Sequence, residues 1–359
     1  MADQTLAQTG AVNPPAQQEP RKVSIIINNY NYGRFLRDAI ESALAQTYPN
    51  VEVIVVDDGS TDNSREIIAS YGSRIIPVLK ENGGQASAFN AGFAASTGDI
   101  IFFLDSDDAL LPEAAETIVR EWRDGVARIY FPLHVIDAEG RQTGELAGGR
   151  AIPDVRLGPF GVGSPTSGNA FWRAVLERTM PVPEAEWRLC AEGYLVLAAA
   201  IVGRSAQMPR PLGYYRIHGK NNFACAPPRD GAARRATHAA FTLHRVLTRL
   251  SDGKMPPFED WVARAPHHWL ARILSLRESP QDHPLPDTLP RLVRKALSAT
   301  WRHPYWNFRR KLAYTFLVIG YSFSPLPVRR GLQWAECNAQ KPIATLLLGR
   351  RSGELERSN

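Results

Sequence analysis

Two aspartates separated by one residue, Asp105 and Asp107, end a short apolar run and carry the strongest local sign of chemistry in the chain. Carboxylates at this spacing can share a hard divalent cation, because Mg²⁺ and Mn²⁺ prefer carboxylate oxygen and are commonly bridged to substrate phosphates. Such an ion neutralises the charge that builds on a departing diphosphate. The alternative is a solvated turn and helix cap, since Asp is common at both.

A second acidic segment, Asp57-Asp58-Gly59-Ser60, follows another β-branched run. An ionised carboxylate only accepts hydrogen bonds, so it suits the donor groups of a nucleobase or a ribose. Gly59 allows a tight turn at this point. An ordinary turn that leads into a helix cap is again the alternative, but two acidic segments in equivalent positions favour a ligand site.

The elements that must position these residues alternate between strand and helix. Short apolar runs predict strands at 23–28, 51–56, 75–79 and 100–104, and helical spacing predicts helices at 33–46, 61–71, 85–95 and 112–122. This alternation predicts an α/β fold with a mostly parallel sheet flanked by helices. Ligands bind such sheets outside the carboxyl ends of the strands, where Asn28 and both acidic segments fall.

The alternation is looser beyond residue 125. The pattern there predicts one strand over 128–137, a Gly-, Pro- and Ser-rich loop over 158–168, an apolar helix over 192–201 and a strand over 212–217. Helical patterns broken by proline-rich joints follow. We therefore predict a disordered leader (1–20), an α/β domain (21–222) and a basic, mainly α-helical C-terminal region (223–359).

Charge is distributed unevenly along the chain. Residues 1–228 carry 20 basic and 26 acidic side chains, a net charge of −6, whereas residues 229–359 carry 22 and 10, a net charge of +12. Aromatic and basic residues interleave at 301–311, before an apolar segment at 312–323 that is too short to span a bilayer. This favours docking on an anionic membrane surface. Packing on the α/β domain and nucleic-acid binding are the alternatives, of which nucleic acid is the least favoured.

The composition bounds the class of protein. Hydrophobic residues make up 44% and charged residues 22%, which excludes a wholly disordered or collagen-like chain. The three cysteines are far apart and form no Cys-x-x-Cys pair, which favours a reducing, cytoplasmic location over a disulfide framework.

The motifs together resemble the family 2 glycosyltransferases of the GT-A fold. The resemblance lies in the runs VSIIINNYNYGRFLRDAIESALAQTYPNVEVIVVDDGSTDNS and NGGQASAFNAGFAASTGDIIFFLDSDD, and continues more weakly through Ala191-Glu192-Gly193-Tyr194 and 215–222. It implies inverting transfer of a sugar from a nucleoside diphosphate sugar, with UDP the expected nucleotide. The implied acceptor is a polysaccharide or a lipid-linked glycan in cell-surface glycan synthesis, with the enzyme cytoplasmic or peripheral on the inner membrane face.

The resemblance also implies roles for particular residues. The implied contacts to the nucleotide sugar are Asn28, Tyr30, Asp57, Asp58, Gln85 and Asp105. The implied ligands of a Mg²⁺ or Mn²⁺ ion are Asp105, Asp107 and His218. Many members of the family carry an arginine where this chain has Phe89, so that cationic contact is either absent or replaced by a polar group such as Gln85.

Glu192 matches the acidic residue that acts as general base in the family. An inverting displacement needs one carboxylate to take the proton of the acceptor hydroxyl. A negative charge is also favoured at the start of a helix, so a simple N-terminal helix acid is the alternative.

Two other functions compete with this interpretation. A non-catalytic nucleotide-sugar-binding subunit of a membrane glycan-assembly complex would share the fold but need no base, and Glu192 argues against it. A sugar-phosphate nucleotidyltransferase would show a glycine-rich phosphate loop with a basic residue after the first strand. Asn28-Asn29-Tyr30-Asn31 stands there instead.

Overall fold

The structure is a computed structural model that describes residues 21–149, 155–157, 164–219, 221, 231–303 and 306–325. The leader predicted at 1–20 and most of the loop predicted at 158–168 lie outside the described residues. The strands are β1 (Val23–Asn29), β2 (Val51–Asp58), β3 (Ile76–Lys80), β4 (Ile100–Asp105), β5 (Ala109–Leu110), β6 (Val126–Tyr130), β7 (Pro132–Ile136), β8 (Gln142–Gly148), β9 (Asn169–Trp172), β10 (Arg204–Gln207) and β11 (Gly213–Arg216). The helices are α1 (Gly33–Leu44), α2 (Ser64–Ala69), α3 (Gln85–Ala95), α4 (Ala114–Glu121), α5 (Arg173–Thr179), α6 (Ala191–Val202), α7 (Ala232–Leu250), α8 (Phe258–Trp261), α9 (Pro266–Glu278), α10 (Leu289–Arg302) and α11 (Phe308–Phe323).

The central strands form because their apolar runs are covered on both faces. β1 and β4 are buried along nearly their whole length, as expected for parallel strands between helices. Helix α3 packs on β1 and β2, and α6 packs on β6 and β10. The predicted α/β class is confirmed.

The sheet order places the two acidic segments at one edge. The seven-stranded sheet runs β10-β6-β9-β4-β1-β2-β3, with β1 parallel to both β2 and β4. The register pairs Asn28 with Asp105 and Asn29 with Asp57. The carboxyl ends of β4, β1 and β2 therefore bring together side chains that are about 30 to 80 positions apart in sequence.

The prediction of one strand over 128–137 was wrong. The segment forms two strands, β6 in the large sheet and β7 in a second sheet of order β5-β11-β7-β8. The change of sheet occurs at Phe131 and Pro132, because proline has no N–H for a ladder. Strand β9 enters the large sheet between β4 and β6 and is antiparallel to both, so the sheet is mixed at that side.

The described part of the C-terminal region, 231–325 without 304 and 305, is mainly helical, as predicted, and it packs on the α/β part. Helix α7 contacts both α6 and α9. The indole Nε1 of Trp261 donates to the carbonyl of Val155 at 2.7 Å, and the buried residues of both parts form one hydrophobic cluster. Within the described residues, no helix has the length and apolar character to cross a bilayer.

Candidate active site

Three polar side chains meet at the carboxyl ends of β1 and β4. Asn28 Nδ2 donates to Asp105 Oδ1 at 2.8 Å, and Gln85 Nε2 approaches the same oxygen and Thr166 Oγ1 within 3.5 Å each. Asn28 Oδ1 is buried and has no hydrogen-bond partner among the described residues. An orphaned acceptor in this position is ready to receive a donor group from a ligand.

Gln85 also connects this cluster to the helix that carries Glu192. Its Oε1 accepts a hydrogen bond from the backbone N–H of Ala191, at 3.0 Å, at the start of α6. Phe89, one turn further along α3, is fully buried and stacks on Phe103 with ring centroids 4.3 Å apart. Phe89, where the family resemblance led us to expect an arginine, thus faces the core in this chain, and Gln85 is a residue of α3 that reaches the site.

Glu192 lies in the first turn of α6 with one carboxylate oxygen buried and unpartnered among the described residues. Burial, and secondly the charge of Asp105, raise the pKa of Glu192 to about 7. A general base works best when its pKa is close to the working pH, so this environment suits proton abstraction from a hydroxyl.

Asp107 and His218, two of the three residues predicted as metal ligands, lie in contact with each other. His218 Nε2 lies 3.0 Å from Asp107 Oδ2, and Asn221 Nδ2 donates to the same oxygen at 3.3 Å. The imidazole packs against Tyr32 and Phe35, with ring centroids 5.3 and 4.7 Å away, so the β1–α1 connection fixes its position.

Asp105 and Asp108 form no ion pair among the described residues, whereas Asp57 and Asp58 pair with Arg65 and Lys80. Burial, and secondly the charge of Asp107, raise the pKa of Asp105 to about 6, and burial raises the pKa of Asp108 well above its ordinary value. Among the described residues, no three His, Cys, Asp or Glu side chains gather closely enough to form a complete metal site. The donor set fits a Mg²⁺ or Mn²⁺ ion that takes part of its coordination from substrate phosphates and water.

Asp57 and Asp58 are buried and already accept hydrogen bonds. Asp57 receives them from Asn29 Nδ2 (3.0 Å), Ser60 N (3.1 Å) and Arg65 Nε (2.8 Å). Asp58 receives them from Lys80 Nζ (2.8 Å) and from the N–H groups of Gly83 (2.9 Å) and Gly84 (2.7 Å). Because a carboxylate offers about four acceptor positions, each retains room for roughly one further donor.

An open cleft of about 600 Å³ lies beside these two aspartates, and its lining includes Ser60, Lys80 and Asn82. Gly59 has φ +80° in the turn after β2, and a Cβ there would lie 2.7 Å from the backbone nitrogen of Asn82. Glycine is therefore needed both for the turn and for the close approach that forms one wall. Tyr30, 46% exposed, follows β1 at the same edge of the sheet.

Several positioning residues were missed by the sequence analysis. Asp108 is buried and accepts from Ser167 Oγ (2.6 Å) and from the backbone N–H of Arg216 (2.9 Å). The guanidinium of Arg216 in turn donates to the carbonyl of Asp107 (2.9 Å) and to Asp38 Oδ2 (2.7 Å). These contacts join residues 59 to 178 positions apart, and no local sequence pattern predicts them.

Comparison with known proteins identifies glycosyltransferases as the relatives of this chain. The model of the family described as Glycosyl transferase family 2 matches residues 24–174. The chain is 40% identical over 217 residues to an uncharacterized glycosyltransferase of Nostoc sp., which covers 57% of this chain and 67% of that one. It is 49% identical over 94 residues to an uncharacterized glycosyltransferase of Rickettsia prowazekii, covering 26% of this chain and 30% of that protein.

A solved structure confirms the fold. The crystal structure of Staphylococcus aureus TarS residues 1–349, in complex with UDP-GlcNAc, superposes with a TM-score of 0.51 at 16% identity, covering 89% of this chain and 92% of that one. The large sheet with its flanking helices is accordingly a GT-A fold, as the sequence predicted. On this fold and on the match to the Nostoc relative, the chain belongs to glycosyltransferase family 2.

Proposed function

We propose that the protein moves a sugar from a nucleoside diphosphate sugar to a hydroxyl of a polysaccharide or lipid-linked acceptor in cell-surface glycan synthesis, with inversion at the anomeric carbon. The observation that carries this proposal is the link through Gln85, which ties Asp105 to the start of the helix bearing Glu192. The proposed base and Asp105, a proposed contact to the ribose or the metal, thereby belong to one cluster. A binding subunit would have no use for a partly exposed carboxylate with a pKa of about 7.

The donor is proposed to be a UDP-sugar. TarS, which shares the fold, was crystallised with UDP-GlcNAc. Here the nucleoside would lie in the cleft beside Asp57 and Asp58, whose remaining acceptor positions suit the N–H of a uracil. Tyr30 is exposed and available to stack on the base. Asn28 and Asp105 would then meet the ribose.

Asp105, Asp107 and His218 are the residues that would hold a Mg²⁺ or Mn²⁺ ion, which when bound supplies positive charge against the leaving diphosphate. Glu192 takes the proton of the acceptor hydroxyl as the acceptor oxygen forms its bond to the anomeric carbon. The bond from that carbon to the diphosphate oxygen breaks on the opposite face, so the configuration inverts. The nucleoside diphosphate leaves with the bonding electron pair.

A panel of nucleotide sugars tests the donor assignment. Purified full-length protein is incubated with UDP-, GDP- and dTDP-sugars and with Mg²⁺, Mn²⁺ or EDTA, and release of the nucleoside diphosphate is measured. We expect release from one or more UDP-sugars, dependent on the cation. Equal release from all three nucleotides would contradict the base contacts, and full activity in EDTA would contradict the cation.

A further inference from the structure

Helix α11 has two apolar sides, and only one of them is used within the described fold. Tyr314, Val318 and Tyr321 are buried where the helix packs on α9 and α10. The opposite side is a stripe of exposed side chains at spacings of three and four residues. The α11 stripe consists of Phe308 (66% exposed), Leu312 (40%), Phe316 (66%), Ile319 (46%) and Phe323 (69%).

The stripe is continuous and carries no charge. At 100° per residue its five side chains fall within an arc of about 80° of the helix. Exposed large hydrophobic residues elsewhere in the described part are scattered, whereas these five, with Trp301 against Phe308 at 5.9 Å, form one patch. A contiguous exposed apolar patch marks an interaction surface.

The surroundings of the stripe are strongly basic. No acidic residue occurs from 288 to 325, the stretch that contains the stripe, and this stretch holds seven Lys and Arg residues, of which Arg291 and Lys295 pair with Glu259. Arg302 and Arg309 are exposed beside the stripe, and Lys311 lies at its N-terminal end. The surface therefore combines an apolar stripe with a cationic border.

We infer that the α11 stripe docks into the surface of an anionic lipid bilayer, with the helix axis in the membrane plane. An in-plane amphipathic helix buries its apolar face at the acyl boundary while flanking Lys and Arg meet anionic headgroups. Trp301 suits the same depth, because indole rings favour the membrane interface. The inference is independent of the proposed glycosyl transfer.

Other binding partners would match either the apolar stripe or its cationic border, but not both. A second copy in a two-fold contact would bring the exposed Arg302 and Arg309 of one copy close to the same cations of the other. Residues 326–359 carry six basic and three acidic side chains, so their charge has the same sign. Nucleic acid would neutralise the cations but leave the apolar stripe in water. A bilayer with anionic lipids matches both features.

Vesicle flotation of the full-length protein tests the inference. The vesicles are phosphatidylcholine alone or phosphatidylcholine mixed with phosphatidylglycerol. We expect binding to the mixed vesicles that weakens as salt is raised, and much weaker binding to phosphatidylcholine alone. Phe316→Ser combined with Phe323→Ser should reduce partitioning about a hundredfold, roughly tenfold for each aromatic ring withdrawn from the lipid. Leu146→Ser, at a residue 55% exposed on β8, is the matched control and should leave partitioning unchanged.

A charge-reversal variant tests the contribution of the cationic border separately from that of the apolar stripe. Arg309→Glu should weaken binding to the mixed vesicles about tenfold or more, and the matched variant Arg178→Glu on α5 should not. Melting temperatures establish that each variant is folded. No flotation of the wild type, or unchanged flotation of the double phenylalanine variant, would overturn the inference. A double variant that melts several degrees lower, or that dissociates an oligomer formed without lipid, would also overturn it, because the stripe would then be a protein-packing surface.

Discussion

At the residue scale, the acids at the sheet edge fall into two sets that differ in burial and in the number of hydrogen bonds they accept. Three are buried and accept several hydrogen bonds from the protein itself: Asp57, Asp58 and Asp108. Three are partly exposed and have few donors: Asp105, Asp107 and Glu192. A buried carboxylate is tolerated only when it is well bonded, so the first set holds loops in place, and Asp57 and Asp58 keep only about one acceptor position each for a base. The second set keeps acceptor positions for a divalent cation or for the hydroxyl groups of a substrate.

Asp107→Asn should reduce transfer without unfolding the protein. The substitution keeps the shape of the side chain but removes a carboxylate ligand of the proposed Mg²⁺ or Mn²⁺ ion, so we expect a loss of about 10²-fold or more in rate. The free energy of unfolding should change little, because Asp107 is partly exposed. Rates and urea denaturation are measured beside Asp124→Asn, an exposed acid before β6 at the opposite end of the sheet. A rate equal to that of the control would remove Asp107 from the mechanism.

At the element scale, the site depends on segments that come together from distant parts of the chain. Strand ends β1, β2 and β4 supply the acids and amides, α3 supplies Gln85, and α6 supplies Glu192. The turn Thr166–Gly168 and β11 hold the Asp105–Asp108 segment from the other side. A shift of any one of these elements would therefore move the site side chain that it carries or holds.

The strands and helices of residues 23–108 could be predicted from the sequence because the patterns that indicate them are local. β-branched runs, helical spacing and acids at strand ends all occur within residues 23–108, and the observed elements there agree with the prediction to within a few residues. Strand β9 was missed because four residues carry no periodicity. The role of Asp108 was missed because its partner, the N–H of Arg216, is 108 positions away. Such contacts depend on topology, which local patterns do not encode.

Gln85→Leu tests the connection between α3, β4 and α6. The leucine fills similar space but neither accepts from Ala191 N nor donates toward Asp105. We expect a fall in kcat of about 10- to 100-fold, because small misplacement of a catalytic group is costly. Steady-state kinetics are compared with Gln142→Leu, at an exposed position of β8. A change confined to stability would show that Gln85 has only a packing role.

Asp108→Ala should lower the stability of the protein, which Asp107→Asn should leave nearly unchanged. It leaves the hydroxyl of Ser167 and the N–H of Arg216 without their acceptor, and a buried unsatisfied donor costs about 1–3 kcal/mol. We expect the free energy of unfolding to fall by at least about that amount in urea denaturation. Unchanged stability would mean that the β4–β11 connection does not depend on this carboxylate.

At the scale of the whole molecule, acid should destabilise the fold through the C-terminal helices. Burial, and secondly Arg310, lower the pKa of His267 to about 4, and burial, and secondly Arg272, lower the pKa of His268 to about 3. The unfolded chain binds protons near pH 6.5, whereas the folded chain stays neutral at both rings. The contribution of these two histidines to the free energy of unfolding is therefore full above pH 6.5 and falls as the pH drops toward 4, by up to about 1.4 kcal/mol per pH unit for each. The raised pKa values of Asp105 and Glu192 contribute the opposite slope, so the histidine contribution is read from the difference between variants.

Urea denaturation between pH 7.5 and 5 measures this slope. His268→Phe should flatten it, because His268 Nε2 has no hydrogen-bond partner among the described residues and the ring packs against Phe258 and Trp269. His134→Gln, at a partly exposed position of β7, is the comparison and should retain the slope. The same pH dependence of stability in the wild type and in His268→Phe would contradict the buried neutral state of this ring.

The central claim is that Glu192 makes this nucleotide-sugar site catalytic, and the most direct test compares Glu192→Gln with wild type in donor binding and in transfer. Binding is measured at equilibrium with a UDP-sugar, and transfer as UDP release and product formation with a panel of simple and lipid-linked glycosides. We predict an unchanged dissociation constant for the donor and a rate lower by about 10²- to 10⁴-fold. A wild type that binds the donor but forms no product, or a Glu192→Gln variant that transfers sugar at the wild-type rate, would contradict the account.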